Sequence, residues 1–152
     1  DGKDITITNP EMTRFLITLD DAISLVFLAL DKGMGGDIFI KKSAASTIDQ
    51  LAKCIKELFN SNQKIKIIGT RHGEKIYETL ATKQELSFCE NNKDYYRIKL
   101  DSRDLNYDDY FKKGKYQIIE EDYTSHNTKR LSDTELKKIL ANIPELQNIL
   151  IK

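Results

Sequence analysis

Between Ile65 and Leu80 the chain reads IKIIGTRHGEKIYETL, and this stretch limits what the rest can fold into. Ile65, Ile67 and Ile68 are β-branched and bounded by polar residues, the pattern of a buried strand. Gly69 and Gly73 then bracket Thr70, Arg71 and His72, which predicts a strand running into a tight turn whose backbone can approach a ligand closely. α/β folds gather ligands at the ends of strands, and this end carries Arg71 and Glu74. A guanidinium is a planar fork of donors matched to phosphate oxygens. An ionised glutamate only accepts, which suits a ribose diol. Together the two side chains would grip a nucleoside diphosphate. The same spacing also fits an exposed ion pair between Arg71 and Glu74, contributing about 0–1 kcal/mol.

Upstream, Ile5 to Thr8 alternates β-branched and polar residues and stops at Asn9-Pro10, a short strand ending in a turn. Met12 to Leu19 is a second extended stretch, carrying Arg14, and Thr18 or Asp20 can cap the helix that follows. Over Asp20 to Leu30 apolar residues fill most positions, which predicts a helix buried on more than one face. The glycines of GMGG (Gly33, Gly35, Gly36) follow this helix and precede a strand over Asp37 to Lys41, the reverse of a dinucleotide-binding loop, so they read as a helix end and turn. Ser46 or Thr47 then caps an amphipathic helix with Ile48, Leu51, Ala52, Ile55, Leu58 and Phe59 on one stripe. Cys54 lies beside that stripe as a small core residue.

Downstream, Thr82 and Glu85 form a capping box for a short helix to Phe88, and Tyr95 to Leu100 reads as a strand. Tyr95 and Lys99 reproduce a Tyr-x-x-x-Lys spacing that is catalytic on a helix, but a strand is the wrong context and the match is coincidental. Asp101 to Gly114 reads as an arm or loop anchored by Tyr107, Tyr110 and Phe111, and Ile118 and Ile119 as a last short strand. His126 in DYTSHNTKR has no partner at nucleophile or metal spacing and reads as structural, as does His72. Ser132 and Glu135 cap a closing helix with Leu136, Ile139, Leu140 and Ile143 on its apolar face, and Pro144 breaks or restarts it.

Lysine plus arginine equals aspartate plus glutamate at 24 each, so no global field favours nucleic acid or a membrane surface. The two cysteines show neither metal spacing nor a disulfide framework, and no apolar run approaches a spanning helix. The expectation is a soluble, cytoplasmic chain that binds neither nucleic acid nor membrane.

The run GTRHGEKIYETL resembles the C-terminal part of the extended short-chain dehydrogenase/reductases of bacterial polysaccharide biosynthesis. The similarity continues through ITNPEMTRFLITLDDAISLV, GDIFIKKSAASTIDQLAK, YYRIKLDSRDLNYDDYF and DYTSHNTKRL, and is strongest to the UDP-N-acetylglucosamine 4,6-dehydratases. It implies an α/β fold: the substrate-binding part of such an enzyme, with the last helix and strand of the Rossmann sheet, and with the cofactor half absent. Residues 1–45 would be the segment returning to that sheet, and residues 46–152 the substrate-binding and oligomerisation region.

For the parent enzyme the resemblance implies oxidation of a UDP-hexose at C4 by NAD or NADP held in the absent half. Loss of water and return of hydride to C6 follow in a 4,6-dehydratase, some members also inverting C5, and return of hydride to C4 in a 4-epimerase. Within this chain it implies binding residues only: Arg14 near the nucleotide, Arg71 on the diphosphate, Glu74 on the ribose, and Thr8 and Met12 on the uridine side. Related enzymes are oligomers, which makes residues 88–114 the candidate subunit contact, and a sheet piece without its neighbour should leave apolar surface exposed. A stand-alone interaction or oligomerisation module that kept the fold without catalysis is the competing class.

Overall fold

The structure is a computed structural model that describes residues 3–100 and 119–150. Contacts gather into two units, one of residues 1–16, 43–78 and 125–152, the other of 17–42 and 79–124. Of the sequence-predicted features, the arm over Asp101 to Gly114 and Ile118 lie outside the described residues.

In the first unit, β1 (Ile5–Ile7) pairs in parallel with β5 (Ile65–Ile67), and β2 (Thr13–Phe15) pairs antiparallel with β4 (Ala45–Thr47). The far edge of β4 is also satisfied, because Ala45 N–H donates to the Lys129 carbonyl and Leu131 N–H to the Ala45 carbonyl, both at 2.9 Å. Helix α2 (Ile48–Leu58) starts at Thr47, whose hydroxyl accepts from Gln50 N–H. Helix α4 (Asp133–Ala141) starts at Ser132 with the expected Glu135 capping box, and α5 (Pro144–Leu150) restarts after it. The stripes of α2 and α4 meet in the core: Cys54, Leu131, Leu136 and Leu140 are buried, with Leu51, Ile55, Leu58, Ile139 and Ile143 packed around them. Each fully buried aliphatic side chain contributes about 1.5–3 kcal/mol. The strand at Ile65 is where expected but is not buried. Ile67 and Ile68 are largely exposed, because among the described residues β5 has β1 as its one strand neighbour and a two-stranded ladder covers little of itself.

In the second unit, α1 (Leu19–Lys32) begins at Thr18, whose hydroxyl accepts from Asp21 N–H at 3.1 Å, and ends at Gly33. A Cβ on Gly33 would lie 2.3 Å from the Ala29 carbonyl oxygen, so the close approach and not a phosphate accounts for this glycine. Strands β3 (Ile38–Lys41), β8 (Tyr95–Ile98) and β7 (Cys89–Asn91) form an antiparallel sheet in the order β3-β8-β7, with β3 at an edge. Arg97 on β8 donates from Nε to Asp37 Oδ2 at 2.8 Å, and Tyr96 meets Tyr123 edge-on at 5.4 Å. Strand β6 (Thr79–Ala81) pairs with β9 (Tyr123–Thr124), and α3 (Lys83–Leu86) follows its Thr82–Glu85 capping box.

Two expectations need correction here. No residue of α1 is buried, so the helix is not enclosed on several faces: Ala22, Leu25 and Ala29 are half-covered while Leu19, Ile23, Val26, Phe27 and Leu30 face solvent. Its composition reported apolar surface, not what covers it. Ile119 is not in a strand; among the described residues the last strand is Tyr123–Thr124, which is buried and pairs with β6. Tyr95 and Lys99 lie on and just past strand β8, the expected strand context in which their spacing is coincidental.

A pinned turn beside Arg14

The first unit brings the five sequence-predicted binding residues into one network. Strand β5 ends at Ile67, and Ile68 N–H donates to the Ile7 carbonyl at 2.9 Å, fixing where the chain leaves the ladder. Gly69 (φ 85°) and Gly73 (φ 78°) then adopt left-handed conformations that side chains disfavour, and Glu74 N–H closes the turn on the Arg71 carbonyl at 3.1 Å.

Glu74 locks this turn from the side. Its Oε2 accepts the Arg71 backbone N–H at 3.1 Å, and its Oε1 accepts the Thr8 hydroxyl proton at 3.0 Å. The backbone donor of Arg71, then the Thr8 hydroxyl and the charges of Arg71 and Arg14, hold the Glu74 carboxyl below its ordinary value of 4.5 against the cost of desolvation. A hydroxyl has one proton, so with Thr8 committed to Glu74 the Thr8–Met12 Sδ approach at 3.9 Å is a packing contact.

Among the described residues the Arg71 guanidinium takes part in neither hydrogen bond nor ion pair, and it is exposed. The simple Arg71–Glu74 ion pair that the spacing allowed is therefore not formed; the glutamate takes the backbone of Arg71 and leaves the fork of donors open. Arg14 is the opposite case. Its Nη1 donates to the carbonyls of Thr13 at 2.7 Å and Ile76 at 3.4 Å, its Nη2 to Lys75 O at 2.8 Å and Met12 Sδ at 3.0 Å, and its Nε lies 3.7 Å from Glu78 Oε1. Arg14 braces the segment that leaves the turn, and its positive charge sits close enough to depress Glu74.

Sequence reasoning missed three contributors. Asn9 reaches Thr70 Oγ1 at 3.5 Å and turns its own chain by accepting Glu11 N–H at 2.9 Å; the Asn-Pro turn signal was visible but not its reach. Glu78 faces both Arg14 and Lys75. Ser125, in the DYTSHNTKR stretch, bonds Thr13 and Glu78 across separations of 112 and 47 residues, which no local signal reports. Among the described residues no group of three or more His, Cys, Asp or Glu could hold a metal ion, and no helix is long and apolar enough to cross a membrane.

A family model described as polysaccharide biosynthesis protein matches residues 1–100, and one described as polysaccharide biosynthesis protein C-terminal matches residues 101–147. Proteins named UDP-glucose 4-epimerase from Rickettsia rickettsii and Rickettsia bellii are 51% and 53% identical over 147 residues, 96% of this chain. The chain spans 43% of the length of those relatives. An X-ray structure of Pen from Bacillus thuringiensis superposes with a TM-score of 0.74 and 29% identity, covering 91% of this chain and 40% of that one. The likeness bears out the expected α/β class, part of an extended short-chain dehydrogenase/reductase. By its match over residues 1–100, and with the C-terminal model continuing to residue 147, the chain belongs to the polysaccharide biosynthesis protein family.

Proposed function

We propose that this chain is the nucleotide-sugar-binding region of an enzyme that remodels a UDP-hexose at C4, with Arg71 meeting the diphosphate, Glu74 the ribose, Thr8 and Met12 the uridine side, and Arg14 the nucleotide through its hold on the turn. The observation that carries the reading is the open guanidinium of Arg71 on a glycine-bracketed turn that Glu74 and Thr8 pin in place. A preformed loop with an unspent cation loses little entropy when an anion binds. A 4-epimerase is supported by the names of the relatives. A 4,6-dehydratase is supported by the resemblance that runs through GTRHGEKIYETL and MTRFL, motifs that both activities share.

The dependence on NAD or NADP is part of the same proposal, but the residues here do not fit the cofactor. The GMGG glycines end a helix, and a Cβ at Gly36 would meet Leu100 Cβ at 2.9 Å, so packing occupies the place where a pyrophosphate would need room. No step of the reaction is assigned to this chain. Residues 1–45 are read as the segment that extends the cofactor domain's sheet, supported by the edge position of β3 and the exposed apolar row on α1. Residues 46–152 are read as the substrate and subunit-contact region of a cytoplasmic homo-oligomer.

The test is a titration of the isotopically labelled chain with UDP, UDP-N-acetylglucosamine and uridine, following the amides of Gly69 to Lys75 and of Arg14. Shifts there with UDP and not with uridine support a diphosphate grip. A folded chain showing no shifts at millimolar UDP would refute a preformed grip in these residues.

A further inference from the structure

We infer that Ser125 is a positioning residue for the grip: its hydroxyl sets β2, which carries Arg14, in register with the Lys75–Glu78 segment that leaves the Arg71–Glu74 turn. The inference rests on reading that turn as the nucleotide site. Ser125 follows β9 and is wholly buried. Its N–H donates to the Glu78 carbonyl at 2.8 Å, and Glu78 N–H donates back to Ser125 Oγ at 2.9 Å. The same oxygen donates to the Thr13 carbonyl at 3.0 Å and lies 2.9 Å from Thr13 Oγ1.

One proton and two lone pairs are all a hydroxyl has, and here they are all used: it donates to the Thr13 carbonyl and accepts from Glu78 N–H and from the Thr13 hydroxyl. Thr13 N–H in turn donates to the Ile76 carbonyl at 2.9 Å. Arg14 is the next residue, and its guanidinium finds the carbonyls of Lys75 and Ile76 because the two segments stand at this register. A slip by one residue would turn every side chain on β2 to the other face and take Arg14 off the turn. Alanine at 125 would take from Glu78 N–H and from the buried Thr13 hydroxyl the partner they share, while the Thr13 carbonyl would keep only the Arg14 guanidinium. Threonine would force a methyl group into a site with no exposed surface.

The experiment compares the unsubstituted chain with Ser125→Ala and Thr13→Val by residue-resolved hydrogen exchange and by UDP affinity. Ser125→Ala is expected to speed exchange at Thr13 and Glu78 by about tenfold or more, to leave Phe59, which caps the C-terminus of α2, and Leu136 in α4 unchanged, and to raise the Kd for UDP about tenfold. Thr13→Val, which removes one arm of the hydroxyl network and keeps the volume, is expected to move the same amides by less. Uniform acceleration across all four amides would reduce Ser125 to a general stabiliser and overturn the inference. So would faster local exchange with an unchanged Kd. If Ser125→Ala does not fold, Thr13→Val decides by the same two readouts. If the unsubstituted chain fails to bind UDP, the nucleotide reading falls by itself, and the exchange pattern still decides whether Ser125 sets the register.

Discussion

The hydroxyl of Thr8 donates to Glu74 Oε1 at 3.0 Å, joining the end of β1 to a turn 66 residues later in the chain. With the backbone N–H of Arg71 on the other oxygen, both carboxylate oxygens are engaged before any ligand arrives. Both bonds favour the anion, so the folded pKa lies below 4.5. A depressed acid contributes its stabilisation fully above its unfolded value and loses it as pH falls through the folded one. The turn should therefore stay pinned at neutral pH and loosen only in acid. Thr8→Val removes the second of the two donors, and the Glu74 carboxyl should move part of the way back up, as read by carbon-13 titration of the side chain. An unchanged titration would mean that Thr8 does not hold Glu74 in solution.

Arg71 and Arg14 should part company on substitution. The Arg71 side chain is exposed and forms no hydrogen bond or ion pair among the described residues, so Arg71→Ala should leave the unfolding free energy from urea melts within about 0.5 kcal/mol of the parent's. Its removal should still weaken UDP binding about tenfold, or about 1.4 kcal/mol. Arg14→Ala strips donors from the carbonyls of Thr13, Lys75 and Ile76, so it should lower stability and affinity together. Calorimetric titration with UDP beside urea melts separates the two. Equal effects of both substitutions on stability would contradict the assignment of Arg14 as the brace and Arg71 as the open donor.

What could be read from the chain alone divides by how local the cause is. The Thr82–Glu85 and Ser132–Glu135 capping boxes, the helix end at Gly33, and the caps at Thr18 and Thr47, each one of two candidates the sequence offered, are all set within a turn or so of sequence, and each stands within the expected positions. Strands β4, β6, β7 and β9 were not legible: they are two or three ordinary residues each, made strands by partners far away. Arg71 and Glu74 were visible as residue types. That Glu74 would take the backbone of Arg71 and leave its guanidinium open depends on Thr8 and on the glycine angles, which residue identity does not carry.

Glu135 offers a pH test away from the site. Its carboxylate accepts a hydrogen bond from Lys129 Nζ at 2.7 Å and from the N–H and hydroxyl of Ser132 at 2.9 Å. Lys129 first, then Ser132, brings its pKa from 4.5 to about 2. The folded value is depressed, so this contribution is whole above pH 4.5 and is lost as pH falls from there toward 2. Glutamine keeps the capping geometry without the charge. The gap in urea midpoint between the parent and Glu135→Gln should be constant at neutral pH and close across that acid window. A gap that persists at pH 2 would show that the bond to Lys129 is not what lowers the carboxyl.

Leu136 and Phe27 are both large apolar side chains on helices, and the fold gives them opposite surroundings. Leu136 is 0% exposed at the centre of the α2–α4 core, whereas Phe27 is 66% exposed on α1. Leu136→Ala loses both the transfer free energy of its methyl groups and the contacts around the space left behind, about 2–5 kcal/mol. Phe27→Ser removes a side chain that already meets water, and should change stability by no more than about 0.5 kcal/mol. It should also reduce self-association, because Leu19, Ile23, Val26 and Leu30 extend the same exposed row and a patch of that kind is adhesive. Urea unfolding and sedimentation at two protein concentrations test both halves. A cost for Phe27→Ser as large as that for Leu136→Ala, growing with concentration, would mean that the row is already buried against another copy in solution.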